Sequence, residues 1–397
     1  MKEVWITGAG IVSALGSGLD THCSALAESR TGLTEQSFFS GNPPDPCICG
    51  MVPPDVLEDS IEESASNRAN LLLELAIEQA LQSAGISALT DTDIIAGTTL
   101  GNMHGGTRYY QNLRENKTAD ISLVKYFLPC APVAHVSKKY GIPGKRLTVA
   151  SACGSASAAI GHAFHLVRSG ESQRVIAGGF EALSPFVIAG FNSLQLVSKR
   201  ESRPFDRDRD GLNPGEGAAM LIIESEEAAL KRNAKPLAKI TGFGDALDAY
   251  HHTHAHPEGE GLITAINKAM KTAGLSPNDI DHIHLHGTGT VVNDISEFKS
   301  LSSVFNKRLN AIPVCSTKPM TGHTFGASGA LNIVFSLLSI REKLIPATLF
   351  HENIDPDFKG MKICKTPQKT ANVRTVLSTS LGFGGEAFAL IITGADE

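Results

Sequence analysis

The chain has 397 residues, of which 42% are apolar and 19% charged, with a formal net charge of −6 and a pI near 6.2. That composition supports a large core and excludes a disordered or fibrous protein. The acidic balance does not invite nucleic acid or an anionic membrane, and no apolar run approaches the roughly 20 residues that span a bilayer. The seven cysteines are odd in number and scattered, and Cys47-Ile48-Cys49 has no second pair at zinc spacing. With no leader expected ahead of a strand that starts at Glu3, a reduced, cytoplasmic protein is the simplest expectation.

In chain order, apolar strands are predicted near 3–8, 93–98, 146–151, 173–178 and 217–224, then near 237–243, 282–286, 312–316, 375–380 and 386–393. Helical patterns lie near 66–84, 154–169, 260–273, 294–304 and 326–341. The alternation predicts an α/β protein of βαβ units with mainly parallel sheets. The chain also repeats itself. Ile6-Thr7-Gly8-Ala9-Gly10 returns as Ile240-Thr241-Gly242-Phe243-Gly244, and the two halves close alike on Glu216–Ile223 and Glu386–Ile392. The polar stretch Lys231–Pro236 places the boundary between halves 1–236 and 237–397.

Cys153 sits among small residues, Ser151-Ala152-Cys153-Gly154-Ser155-Ala156, between a strand and a helix. A helix N-terminus favours the thiolate, the nucleophilic form, and small neighbours admit a substrate. The same segment also reads as a buried structural cysteine in an Ala-rich helix. The equivalent turn of the second half, Ser316–His323, carries an imidazole. A pseudo-twofold would bring the two turns to one centre as a Cys/His pair.

His282, His284 and His286 alternate, so they share one strand face. Neither a carboxylate nor a cysteine stands at a reinforcing spacing, so no metal is expected there, and the glycines after His286 present that imidazole at the strand end. The run His251–His256 reads as a polar loop. Gly8-Ala9-Gly10 lacks the third glycine of a dinucleotide fingerprint. Leu381-Gly382-Phe383-Gly384-Gly385 is a turn whose backbone N–H groups could face an oxyanion.

Together these motifs resemble the β-ketoacyl-acyl-carrier-protein synthases, closest to the elongating type II enzymes, over nearly the whole chain. The resemblance implies a duplicated thiolase-like five-layer α-β-α-β-α sandwich, usually a homodimer with a heterodimer as the alternative. It implies Cys153 as nucleophile, with His286 and His323 donating to the malonyl thioester carbonyl. Cys153 and Phe383 N–H groups would form the oxyanion hole, with Phe383 also the gate. Lys318 would fix the surroundings of His323 by charge and hydrogen bond, with help to the malonyl carboxylate as the other role, and Asp294 and Glu297 would support the site, Glu297 by pairing with Lys318. Asp248, His251 and Thr253 belong to a loop that moves opposite Gly382, Gly384 and Gly385. No cofactor or metal is implied, because substrates arrive on the phosphopantetheine of an acyl carrier protein. Two histidines, with no Asn motif in place of His323, set the chain apart from initiating and chalcone-type enzymes. Cys364 lacks the setting of a second thiolase cysteine.

The activity so implied is 3-oxoacyl-[acyl-carrier-protein] synthase in fatty acid elongation. The alternatives are the same chemistry in a polyketide or aryl polyene pathway, or a chain-length-factor-like partner. Gly154, Asn293 and Glu386-Ala387 depart from the family pattern. Arg68, Lys117 and Lys125 are the only evident basic candidates for docking an acidic carrier, and Tyr109 with Tyr110 is expected to reshape the acyl pocket.

Overall fold

The computed structural model describes residues 1–37, 47–57, 61–370 and 372–395. Five principal strands form the first half: β1 (Val4–Ser13), β2 (Thr92–Gly97), β3 (Arg146–Val149), β4 (Arg174–Glu181) and β5 (Gly217–Ser225). Five more form the second: β6 (Ala238–Leu247), β7 (His282–His284), β8 (Pro313–Cys315), β9 (Thr375–Gly382) and β10 (Glu386–Gly394). The sheet order is β8-β7-β9-β10-β6-β1-β5-β4-β2-β3. Read outward from the β6–β1 junction, each half therefore runs first, fifth, fourth, second, third strand. The repeat seen in sequence is a repeat of topology.

The sheets are mixed, not mainly parallel. β2 is parallel to β3 and β4, and β7 to β8 and β9, but β5 and β10 run antiparallel to both neighbours. In the second half the cause is the short connection Phe383–Gly385: β10 must return as a hairpin, which a parallel crossover of a dozen residues would not allow.

Five helices complete the layers. α1 (Ile61–Ala84) covers the outer face of the first half, and α3 (Glu260–Ala273) with α4 (Val291–Phe305) covers that of the second. Between the halves lie α2 (Ser155–Ser169) and α5 (Ser328–Glu342). From Ser328 to Ile340 every residue of α5 is buried, as an all-round apolar helix must be.

The Ile-Thr-Gly-x-Gly repeat has a packing cause. A Cβ at Gly8 or Gly10 would fall 2.4 or 2.1 Å from Ala80 O or Ala76 O of α1. At Gly242 or Gly244 it would fall 2.4 or 2.0 Å from Ala269 O or Ala265 O of α3. Both glycine pairs let an Ala-faced helix lie directly on the strand, so they serve packing, as the missing third glycine suggested. No helix among the described residues is long and apolar enough to cross a membrane.

Candidate active site

The chain leaves β3 at Val149 and enters α2 at Ser155 through a tight elbow. Gly154 N–H donates to Ser151 O at 2.9 Å, and Ser155 N–H to Ala152 O at 3.2 Å. Ala152 has φ 43°, a conformation that costs a residue with a side chain about 1–3 kcal/mol. The Thr99 and Ser155 hydroxyls hold its carbonyl at 3.0 and 2.7 Å. Glycine follows the nucleophile because a Cβ at 154 would fall 2.2 Å from the Phe388 ring.

The elbow delivers Cys153 to the second half. Its Sγ lies 3.1 Å from His323 Nε2, and the His323 and His286 rings meet edge-to-face with centroids 5.3 Å apart. All three residues are at most 6% exposed.

The acidic pair on α4 holds the backbone that presents His286. Glu297 accepts the N–H groups of His286 and Gly287, both at 2.8 Å, and the Thr379 hydroxyl at 2.6 Å. Asp294 accepts Phe205 N–H at 2.8 Å and Gly289 N–H at 3.2 Å, with Arg209 Nε at 3.9 Å. Asn293 also donates to Asp294, at 3.1 Å, so this departure from the family pattern extends the same network.

Lys318 differs from its expected roles. Its ammonium donates to His286 O, not to Glu297 or His323. The His286 residue intervenes: Glu297 takes its N–H while Lys318 takes its C=O. Lys318 therefore reaches His323 by charge alone.

The electrostatics reverse one expectation. Burial raises the Cys153 thiol to about 12; Lys318 opposes the shift, and the Glu181 and Glu386 carboxylates reinforce it. Burial, aided by the Lys318 charge, holds both imidazoles well below their usual value. Burial thus works against the thiolate that a helix N-terminus favours. Burial brings Lys318 down to about 8, with Glu297 opposing. Neither His286 Nδ1 nor His323 Nδ1 has a hydrogen-bond partner among the described residues.

Glu181 was not singled out from sequence. Fully buried at the end of β4, it accepts Thr98 Oγ1 at 3.0 Å and the N–H groups of Thr99, Leu100 and Gly326 at 2.7, 3.2 and 3.0 Å. Burial lifts its carboxyl to about 7. A glutamate ending the apolar strand Val175–Phe180 was the available signal.

The two expected gating segments meet. Gly384 N–H donates to His252 O at 2.8 Å, and Asp248 N–H to Gly385 O at 2.9 Å. Gly384 and Gly385 have φ 89° and 85°, and a Cβ at Gly385 would strike Asp248 Oδ1 at 2.0 Å. Asp248 shapes its own loop by accepting from Tyr250 N–H and His256 N–H at 3.0 and 2.7 Å. His251 Nδ1 takes Thr253 N–H at 3.1 Å, within the polar loop foreseen. Gly382, Phe383 and Thr253 line a cavity of about 190 Å³ with Cys153, His286 and His323. Phe383 stacks on Phe191 at 5.8 Å.

One surrounding expectation, that for Arg68, changes. The Glu386 carboxylate accepts the Ser151 hydroxyl and so grips the elbow from outside the residues that line the cavity. Arg68 is the ion-pair partner of the buried Glu216, with its own side chain only 13% exposed, so it serves an internal ion pair and not carrier docking. On the helix Met103–Arg114, Tyr110 packs on Tyr109 and Phe127.

Residues 1–229 match the N-terminal domain of β-ketoacyl synthases, and residues 237–352 match the C-terminal domain. The chain belongs to the β-ketoacyl synthase family. It is 32% identical to 3-oxoacyl-[acyl-carrier-protein] synthase 2 of Coxiella burnetii, over 99% of this chain and 98% of that one. It is 31% identical to the enzyme of the same name from Staphylococcus aureus, covering 98% of both. Among solved structures, the ishigamide ketosynthase/chain length factor superposes with a TM-score of 0.91 at 28% identity over all of both chains. A chain from the complex of the ketosynthase ApeO with its chain length factor ApeC, from Xenorhabdus doucetiae, gives 0.89 at 29% identity, over 99% of this chain and 98% of that one. The fold is thus the thiolase-like, duplicated arrangement of ketosynthases.

Proposed function

We propose that this ketosynthase is a 3-oxoacyl-[acyl-carrier-protein] synthase that performs decarboxylative condensation. The reading is carried by the Cys153 Sγ to His323 Nε2 approach of 3.1 Å, with the His286 ring beside it. Residues 1–236 supply the nucleophile and 237–397 both imidazoles.

In the first half-reaction Cys153 attacks the acyl thioester of a carrier's phosphopantetheine arm. The Cys153 S–C bond forms, the carrier S–C bond breaks, and the thiol proton passes to the departing carrier sulfur. His323 Nε2 is placed to take that proton in transit. In the second, malonyl-carrier loses CO₂ and the resulting enolate carbon attacks the Cys153 thioester. The new C–C bond forms as the Cys153 S–C bond breaks, and the thiolate takes up one proton from solvent to restore the thiol. No redox partner is consumed. The buried, uncharged imidazoles can donate N–H to the developing enolate oxygen, where water is excluded and such donors act strongly. The N–H groups of Cys153 and Phe383 serve the acyl oxyanion.

The acyl carrier protein is the macromolecular partner, and a second copy of the chain is the simplest assembly. The purified chain alone should become acylated on Cys153, detected by mass spectrometry, and should then elongate the acyl group with malonyl-carrier. Absence of acylation with every carrier tried would point to a partner subunit instead.

The likeness to the ketosynthase and chain length factor structures favours a second reading, the same chemistry in a polyketide or aryl polyene pathway. Competition between saturated and polyene primers separates the two.

A further inference from the structure

A second nitrogen and sulfur cluster lies behind the site. His282 and His284 share one face of β7, as alternate residues must. The parallel register sets Cys315 of β8 beside His284, and paired residues in neighbouring strands project to the same side. Sequence spacing could not foresee this, because the cysteine arrives from another strand, about thirty residues downstream. All three side chains are 0% exposed. One donor atom from each lies within 4.8 Å of the other two.

The chemistry of the donors is specific. His282 Nδ1 is 2.9 Å from Pro313 O, so it carries the ring proton and leaves Nε2 a free lone pair. That Nε2 sits 3.5 Å from Cys315 Sγ. Tetrahedral zinc, with Zn–N about 2.05 Å and Zn–S about 2.3 Å, separates its nitrogen and sulfur ligands by about 3.5 Å. His284 Nε2 meets Thr317 Oγ1 at 3.1 Å, while its Nδ1 is buried without a partner. A backbone carbonyl fixing the proton of one imidazole and an unpartnered nitrogen on the other are what a metal-ligating pair requires.

We propose that His282, His284 and Cys315 bind a zinc ion that ties the ends of β7 and β8 together behind His286 and Lys318. On binding, the S–Zn bond forms as the Cys315 thiol releases its proton to solvent. The thiolate then offsets one of the two charges brought near Lys318. A small solvent ligand completes the tetrahedron. The site is independent of the proposed condensation.

The test uses the full chain carrying Cys153→Ala, so that the active-site thiol cannot contribute. After growth with zinc and dialysis against a chelator, this protein should retain about one zinc per chain, and adding Cys315→Ser should reduce that to below about one-tenth. X-ray absorption of the zinc should fit two nitrogen neighbours and one sulfur. Should the serine variant fail to fold, this spectrum decides by itself. A zinc-free protein, retention unchanged by Cys315→Ser, or a sulfur count other than one would overturn the proposal.

Discussion

The two halves end their third strand in the same kind of turn, and only one turn carries a nucleophile. Ala152 and Phe325 each stand three residues before their middle-layer helix, which starts at Ser155 or Ser328. They have φ 43° and 41°, so both chains make the same strained entry. The next residue is Cys153 in the first half and Gly326 in the second. Gly326 N–H donates to Glu181 at 3.0 Å, and a Cβ there would fall 2.4 Å from Thr99 N. The second elbow is thus a wedge pressed against the first half. What it contributes is the loop before it, with Lys318 and His323. Duplication set two elbows face to face: one carries the sulfur itself, and the loop leading into the other carries the imidazole.

Removing the sulfur is the strongest test of that division. Cys153→Ala should lower condensation by a factor on the order of 10⁶, the scale of deleting a nucleophile that acts within a unit. Cys153→Gln should keep decarboxylating malonyl-carrier, because an amide resembles the acylated state. Loss of both activities in a folded Gln variant, measured by CO₂ release and elongation, would contradict the split of roles. Next in size, His286→Ala and His323→Ala should each lower decarboxylation by about 10²–10³, as expected for loss of one oxyanion donor. A change below tenfold in either would remove that imidazole from the decarboxylating machinery.

The comparison also explains what could be read before the structure. Cys153, His286 and His323 were legible because each sits in a small-residue or glycine turn at a strand end, where local chemistry is conspicuous. The repeat was legible because both halves need the same glycine pair under an alanine-faced helix. Contacts between halves were not. Lys318 braces His286 and not His323, since β7 and β8 are neighbours in the sheet although residues 285–312 separate them in the chain with no visible pattern. Glu181 reaches Gly326 across 145 positions, and Cys315 reaches His282 across 33. Burial was equally hidden: a helix N-terminus is visible in sequence, whereas the desolvation that outweighs it at Cys153 is not.

A smaller effect should follow from the silent elbow. Gly326→Ala places a methyl group against Thr99 and Glu181 and should destabilise the fold by about 1–3 kcal/mol, the range for overpacking a tight core. Denaturant unfolding measures this. Because Thr99 also holds the Ala152 carbonyl, the first elbow should loosen too, and Cys153 acylation should slow in the folded variant. Unchanged stability would mean that the two elbows are not wedged together.

The smallest expected effect concerns the armed elbow alone. The raised thiol of Cys153 predicts that alkylation by iodoacetamide climbs with pH by about tenfold per unit from pH 7 to 10, because only the thiolate reacts and its fraction stays small throughout. A plateau near neutrality would show a thiolate already formed. Glu386 adds to the raised value and holds Ser151. Glu386→Gln keeps an acceptor for that hydroxyl while removing the charge. With less repulsion the thiolate becomes easier to form, so the rate at pH 8 should rise a few-fold at most. Glu386→Ala loses the acceptor as well, so the elbow is no longer gripped. If Gln and Ala variants alkylate alike, the carboxylate acts on the sulfur by charge; if only Ala departs from the natural chain, Glu386 serves to hold the elbow's shape.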